Sequence, residues 1–298
     1  MTDIILLDGS IGQEIVNRSE GRATPLWSTA VMMEHPQIVA DVHLDYFKSG
    51  ATIATTNTYA VLRDRLKPAN LENQFERLQE SAISMAEQAR QTHGSGRIAL
   101  SLGPLVASYQ PETCPAPEVA ESLYREIISN LAARADIIVA ETMSSLRQAE
   151  GALRALQGSG KQNWVAITVD DFDGTKLRSG ESVRDMQNLL DLYRPDAILV
   201  NCSRPEVVAA ALDIIKEFGI PFGAYANGFT GITEEFLVEA PTVDALQERD
   251  DLGPRVYGDF AMTWVAQGAT IIGGCCEIGP DHIADIARRL TDGGHSIC

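Results

Sequence analysis

The chain reads as a single (β/α)8 barrel, an α/β fold, spanning residues 1–298. Three observations point there. Eight short apolar runs lack polar alternation, as strands buried on both faces do. Amphipathic stretches separate them. No glycine-rich dinucleotide fingerprint follows any run, which disfavours a doubly wound open sheet. Eight such units need about 250 residues as one barrel.

The runs are Ile4–Gly9, Ala51–Tyr59, Arg97–Pro104, Ala135–Thr142, Trp164–Val169, Ala197–Cys202, Phe222–Asn227 and Thr270–Cys276. Between the first two, Pro36 opens a helix whose face carries Val39, Val42 and Tyr46 and which Gly50 closes. Leu71–His93, Pro117–Arg134, Leu146–Leu156 and Val183–Tyr193 supply the next four helices. Pro205 opens another, with Val208, Ala211, Leu212 and Ile215 on one face and Gly219 as its stop. Tyr257–Gln267 and Pro280–Leu290 complete the set. The longest irregular stretch, Gly228 to about Pro254, is acidic and reads as a solvated loop, with a lid or partner surface as the alternative.

With 24 Lys+Arg against 41 Asp+Glu, the net charge is -17. A surface that acidic repels phosphate backbones and anionic lipid, which argues against nucleic-acid and membrane partners. No apolar run reaches the ~20 residues of a membrane helix. Met1-Thr2-Asp3 leads straight into Ile4-Ile5-Leu6-Leu7 without a basic segment, so a cytoplasmic location is expected. The five cysteines are odd in number and include an adjacent pair, which argues against a disulfide framework and for metal or catalytic use.

Barrel active sites lie at the C-terminal ends of the strands. The runs end in Asp8-Gly9, Thr56-Asn57-Thr58-Tyr59, Glu141-Thr142, Asn201-Cys202-Ser203, Tyr225-Ala226-Asn227 and Gly273-Gly274-Cys275-Cys276. Cys202, Cys275 and Cys276 therefore share one face, and none of the five histidines does. Cysteines are common core residues one by one, but three converging thiolates suit zinc, whose catalytic sites keep three protein ligands and an open position. Gly273 and Gly274 permit the backbone bend that two adjacent ligands need, through positive φ or close approach. Cys114, in a Pro-rich loop, and the terminal Cys298 stand apart.

Three thiolates leave a zinc complex with a net charge of about -1, so its water is a poor acid and hydrolysis is disfavoured. A substrate thiol at the open position loses its proton near neutral pH and stays nucleophilic. The expected reaction is alkyl transfer to a thiol. No strand-end lysine is available for a Schiff-base aldolase, and no strand-end histidine for a histidine-liganded hydrolase. A barrel that binds zinc or thiols without turnover is the remaining alternative.

The same residues resemble the homocysteine S-methyltransferase family across most of the chain. Leu7-Asp8-Gly9-Ser10-Ile11-Gly12 is similar to its opening strand and turn, and Trp27-Ser28 and His35-Pro36 to its next block. The segment from Ser49 to Tyr59, Ser101-Leu102-Gly103-Pro104, Glu141-Thr142 and Asn201-Cys202 follow in order. Gly273-Gly274-Cys275-Cys276, then Pro280-Asp281-His282-Ile283, resembles the terminal signature. The resemblance implies a zinc-dependent methyltransferase acting in methionine biosynthesis, with homocysteine and a small methyl donor as its partners. Cys202, Cys275 and Cys276 match the zinc ligands. Glu141 matches the acid that holds the homocysteine amino group, and Asp8 and Gly9 the segment lining the amino-acid pocket.

Departures from the family pattern fall near the donor side. Glu277-Ile278-Gly279 stands where many members have Gly-Thr-Thr, and the Ala107–Pro117 loop lacks their Gly-Ser-Glu-Tyr pattern. Length favours the stand-alone members that use S-methylmethionine or S-adenosylmethionine, with betaine or a dimethylsulfonio donor as the alternative. An onium methyl calls for aromatic faces and carboxylates. Trp27, in a loop beside Pro25, and Tyr59 are candidates, whereas Trp164 and Trp264 read as packing. Asn57 either holds a substrate carboxylate or ties two strand ends together. Asp8 could instead cap its turn. Glu277 either faces the donor's charge or serves the helix opened by Pro280.

Overall fold

The apolar runs become strands β1 (Asp3–Leu6), β2 (Ile53–Thr55), β3 (Arg97–Leu102), β4 (Ile137–Met143), β5 (Gln162–Ile167), β6 (Ala197–Asn201), β7 (Phe222–Tyr225) and β8 (Ile271–Ile272). A computed structural model describes residues 2–19, 26–237 and 245–298. The strands are parallel and follow one another in chain order from β2 to β8, and β1 then pairs with β8 through Ile5–Ile271 and Leu6–Ile272. Between β1 and β2 the barrel closes through the Thr52 amide, which donates to the Leu6 carbonyl at 2.8 Å. A short strand the sequence reading missed, β9 (Ser296–Ile297), pairs with the start of β1. The Thr52 hydroxyl donates to the Cys298 carbonyl at 2.7 Å, so the chain's last residues fill the lower part of that seam.

The helices are α1 (Ile11–Arg18), α2 (Ser28–Glu34), α3 (Pro36–Lys48), α4 (Arg63–Leu66), α5 (Phe75–His93), α6 (Pro117–Leu131), α7 (Leu146–Leu156), α8 (Met186–Tyr193), α9 (Pro205–Ile215), α10 (Pro254–Ala266) and α11 (Pro280–Asp292). Pro36, Pro117, Pro205, Pro254 and Pro280 stand in the first turns of their helices, where a missing N–H leaves no hydrogen bond unmade. Pro254 thus starts a helix that the sequence pattern placed only from Tyr257. The short helices α1, α2 and α4, all near the barrel mouth, were not anticipated.

Alternate strand residues point into the barrel, where Ile53, Val139, Trp164, Ala166, Leu199 and Tyr225 form an inner cluster. The opposite strand faces pack on the helices in a larger core. Trp264 belongs to that outer core, fully buried and edge-on to Tyr257 at 5.8 Å. Most runs extend past their strands, the second and eighth by the most. Thr56–Tyr59 and Gly273–Cys276 leave the ladder and turn into the mouth of the barrel. Among the described residues no helix is long and apolar enough to cross a membrane.

Candidate active site

A cavity of about 730 Å³ opens at the C-terminal ends of the strands. All nine residues singled out from the sequence line it: Asp8, Gly9, Trp27, Asn57, Tyr59, Glu141, Cys202, Cys275 and Cys276. The backbone around it is strained. Trp27, Val106, Tyr109, Thr142, Cys202 and Glu277 all have positive φ, between 51° and 69° except Cys202 at 45°. Such angles cost about 1–3 kcal/mol each in non-glycine residues and persist only where the surroundings enforce them. At Thr142 the enforcement is visible. Its amide donates to Asn201 Oδ1, and Asn201 Nδ2 donates to its hydroxyl, both at 2.9 Å, across β5.

The three cysteine sulfurs lie within 4.8 Å of one another. Ligands of one tetrahedral zinc at ~2.3 Å sit about 3.8 Å apart, so this donor set fits a single ion. Cys202 is held by its amide, which donates to the Tyr225 carbonyl at 3.2 Å, and by the Thr168 hydroxyl on its own carbonyl at 3.1 Å. The Cys275 amide donates to the Ala226 carbonyl at 2.9 Å. Cys202 and Cys275 are joined by a disulfide, and Cys276 is a free thiol that burial pushes up to about 12. A single bridge thus stands where the cysteine number argued against a framework. No framework of bridges is present among the described residues, yet two ligands placed 5.6 Å apart at Cα are close enough to bond.

Gly273 and Gly274 act by close approach, not by positive φ. A Cβ at Gly273 would lie 2.5 Å from Leu7 Cβ, and one at Gly274 only 2.2 Å from Ile278 Cγ2. The bend itself falls at Glu277, with φ 64°.

Two buried carboxylates line the same cavity as the sulfurs. Glu141 is 8% exposed; it accepts hydrogen bonds from the Ser101 hydroxyl and, at 3.0 Å, from the Tyr225 hydroxyl. Burial raises its pKa above the usual carboxylate range, although both bonds oppose the shift. Asp8 accepts from the Thr55 amide at 2.5 Å and the Thr55 hydroxyl at 2.8 Å, and burial pushes it up to about 8. The nearby Glu141 charge adds to that rise. A pair of buried acids with raised affinity for protons is suited to a cationic group.

The remaining predicted residues form a third side. Asn57 Oδ1 accepts from the Ser28 hydroxyl at 2.7 Å, and its Nδ2 faces Met32 sulfur at 3.8 Å, so its amide ties β2 to α2. The Trp27 ring meets Tyr59 edge-on at 6.3 Å, and its indole N–H reaches Gln13 Oε1 at 3.4 Å. Pro25, which supported the loop reading of Trp27, lies outside the described residues. Glu277 does not line this cavity. It lines a neighbouring cleft with Glu14, Arg18 and Glu248, while α11 is capped through His282, whose Nδ1 accepts from the Gly279 amide at 3.2 Å.

The acidic stretch after Gly228 differs from the solvated loop expected of it. Residues 238–244 lie outside the described residues, but Phe229, Phe236 and Leu246 are buried against Cys202, Cys275 and Cys276. These three apolar side chains of an acidic loop, with Ile232 and Ala245 packed against them, find their burial over the sulfurs. An almost fully buried ion pair, Arg178–Asp171 at 2.6 Å, anchors this roof. Asp171 accepts from the Ile232 amide at 2.8 Å, and the Arg178 guanidinium lies 4.8 Å from the Tyr109 ring centre.

The description "Homocysteine S-methyltransferase" belongs to a family model that matches residues 5–290. The chain belongs to the homocysteine S-methyltransferase family. A relative in Bacillus subtilis, homocysteine S-methyltransferase YbgG, is 28% identical over 95% of this chain and 93% of its own length. The homocysteine methyltransferase MmuM from Escherichia coli, in its metallated form, superposes with a TM-score of 0.81 at 26% identity, over 97% of this chain and 96% of MmuM. Its oxidized form matches to the same degree.

Within this family member, sequence reasoning missed Ser101 and Tyr225, the two donors on Glu141, and Thr55, which holds Asp8. Tyr225 carried a signal, since it ends the seventh apolar run. Ser101 and Thr55 sit inside strands, where a small hydroxyl looks like any other strand residue.

Proposed function

We propose that the protein transfers a methyl group from a small onium donor to the sulfur of homocysteine, forming methionine, with zinc held by Cys202, Cys275 and Cys276. The observation that carries this reading is the cavity itself, with three converging sulfurs on one side and the buried Glu141 on the other. Its family membership supports the acceptor, and the thiolate donor set supports zinc. The donors that best suit a barrel of this kind are S-methylmethionine and S-adenosylmethionine.

Bound zinc would supply an open position at which a thiol ionises near neutral pH and remains nucleophilic. The protein's own residues do the rest. Glu141, fixed by Ser101 and Tyr225, receives the homocysteine ammonium and orients its chain toward the cysteines. Asp8 and the Gly9 turn form the adjoining wall. Phe229, Phe236 and Leu246 exclude water from the sulfur side. Trp27 and Tyr59 offer aromatic surface to the onium centre. The acceptor sulfur attacks the methyl carbon in line, and the bond to the onium breaks, releasing a neutral thioether or amine. No protein group exchanges a proton with the methyl, so positioning carries the rate.

The test is methionine formation by reduced, zinc-loaded protein from homocysteine and S-methylmethionine, S-adenosylmethionine, betaine, dimethylsulfoniopropionate or methyltetrahydrofolate. Turnover with an onium donor is expected. Zinc at one equivalent with no methionine from any donor would overturn the reading in favour of a thiol-binding barrel.

A further inference from the structure

The cavity wall holds three acids, Asp8, Asp64 and Glu141, and a single base among its described residues, Arg65 on α4. Asp64 is already engaged, with its carboxylate accepting from the amides of Arg65 and Val106. Arg65 forms no ion pair among the described residues, unlike most arginines of the chain. Its Nη2 donates to the Pro104 carbonyl at 2.8 Å and reaches Ser108 Oγ at 3.3 Å. Its Nε is buried without any hydrogen-bond partner. The guanidinium carbon lies 5.3 Å from the centre of the Tyr59 ring, whose hydroxyl shares Ser108 at 2.8 Å.

A half-buried guanidinium that lines the cavity with no counter-ion is incompletely satisfied, and a carboxylate is the group that would meet it through charge-assisted bonds. The cavity's other charges leave no such group on the protein side. We infer that Arg65 is the carboxylate-binding residue of the cavity, and that the carboxylate it takes is the methyl donor's. The donor assignment follows from position, because Arg65 stacks with Tyr59 beside Trp27, on the aromatic side where an onium centre is favoured. Homocysteine, by contrast, is oriented by Glu141 between Ser101 and Tyr225.

This inference rests on the proposed methyl transfer and assigns a residue to the carboxylate that each of its onium donors carries. The donor is a zwitterion carrying a carboxylate as well as its onium charge, and a bare sulfonium or tetraalkylammonium ion is a poor substrate. It also explains how a cation can sit beside an arginine, since the donor's own carboxylate faces the guanidinium.

The experiment compares wild type with R65M and R65K, each reduced and zinc-loaded. KM and kcat are measured for the onium acids of the panel and for the same compounds with the carboxylate replaced by a carboxamide. Homocysteine affinity is measured in parallel. In R65M the KM for the acid donor rises about 10- to 100-fold, as expected for a lost charge-assisted bond. The kcat changes little, the carboxamide's KM does not move, and R65K recovers part of the loss. A merely structural Arg65 would affect acid and carboxamide alike, and that result overturns the inference, as does no change in either. A rise confined to homocysteine overturns the donor assignment and gives the subsite to the acceptor. Silence of the wild type with every donor overturns the methyl-transfer reading and, with it, the donor assignment of Arg65.

Discussion

On the β6–β8 side of the cavity the backbone does the positioning. Cys202 sits at φ 45°, Cys275 and Cys276 follow two glycines packed against Leu7 and Ile278, and each ligand strand is pinned by main-chain hydrogen bonds. On the β1–β4 side, side chains take over. Thr55 holds Asp8, Ser101 and Tyr225 hold Glu141, Ser28 holds Asn57, and α4 ties the loop after β3. The sulfur side therefore tolerates almost no change of residue type or backbone, whereas the other side can be retuned one hydrogen bond at a time. Such a division fixes the geometry of the sulfurs and leaves the carboxylates and amides around them adjustable.

That contrast can be broken or sharpened by substitution. The largest effect is expected at the sulfurs. Changing Cys202, Cys275 or Cys276 to Ala should abolish stoichiometric zinc and lower activity by about three orders of magnitude, in line with the several kcal/mol a catalytic metal contributes. Metal analysis beside the methionine assay checks this. In the parent protein, zinc uptake should need prior reduction of the Cys202–Cys275 bond, which a titration with and without reductant will show. Next comes Glu141→Gln. Losing the charge proposed to meet the ammonium should raise the homocysteine KM about 10- to 100-fold while kcat changes less. An unchanged KM would remove Glu141 from the acceptor site.

Backbone crowding gives the third effect. Gly274→Ala should destabilise the fold by about 1–3 kcal/mol, the usual cost of overpacking, because its Cβ would meet Ile278. Denaturant unfolding of the metal-free protein measures it, and a neutral result would mean that Ile278 can move aside. The fourth concerns Asp8, whose pKa rises from 3.8 unfolded to about 8 folded. The folded state keeps a proton that the unfolded chain releases across that window, so stability declines as pH rises from about 4 to 8. Asp8→Asn removes this dependence. Its melting temperature relative to the parent should improve between about pH 5 and pH 8. The smallest effect is expected from Tyr225→Phe, which leaves Glu141 with Ser101 alone and should cost about 1 kcal/mol of homocysteine affinity, roughly fivefold.

How much of this was legible in the sequence follows the same division. Apolar runs, first-turn prolines and the Cys275-Cys276 pair behind two glycines are local signals, and they located the strands, most helices and the sulfur side. The supporting side chains are not local. Ser101 and Tyr225 meet Glu141 only because β3 pairs beside β4 and β7 lies across the barrel from it, and Arg65 stands out only because it has no ion-pair partner among the described residues. The reading of Gly273 and Gly274 was right about close approach and wrong about φ, since crowding depends on what the fold brings alongside. The roof was missed because its apolar residues are spread through an acidic loop and show no periodicity.

The seam between β1 and β2 has a consequence for how the protein is made. β1 leaves the ribosome well before its pairing partners β8 and β9, at Ile271–Ile272 and Ser296–Ile297. At about 5–20 residues per second, that strand waits on the order of tens of seconds for its neighbours. Throughout that time Ile4 and Leu6, fully buried in the finished barrel, have no sheet to join. The nascent chain is thus an open ribbon with one unclaimed edge, and the period of synthesis is when this protein is most in need of a chaperone.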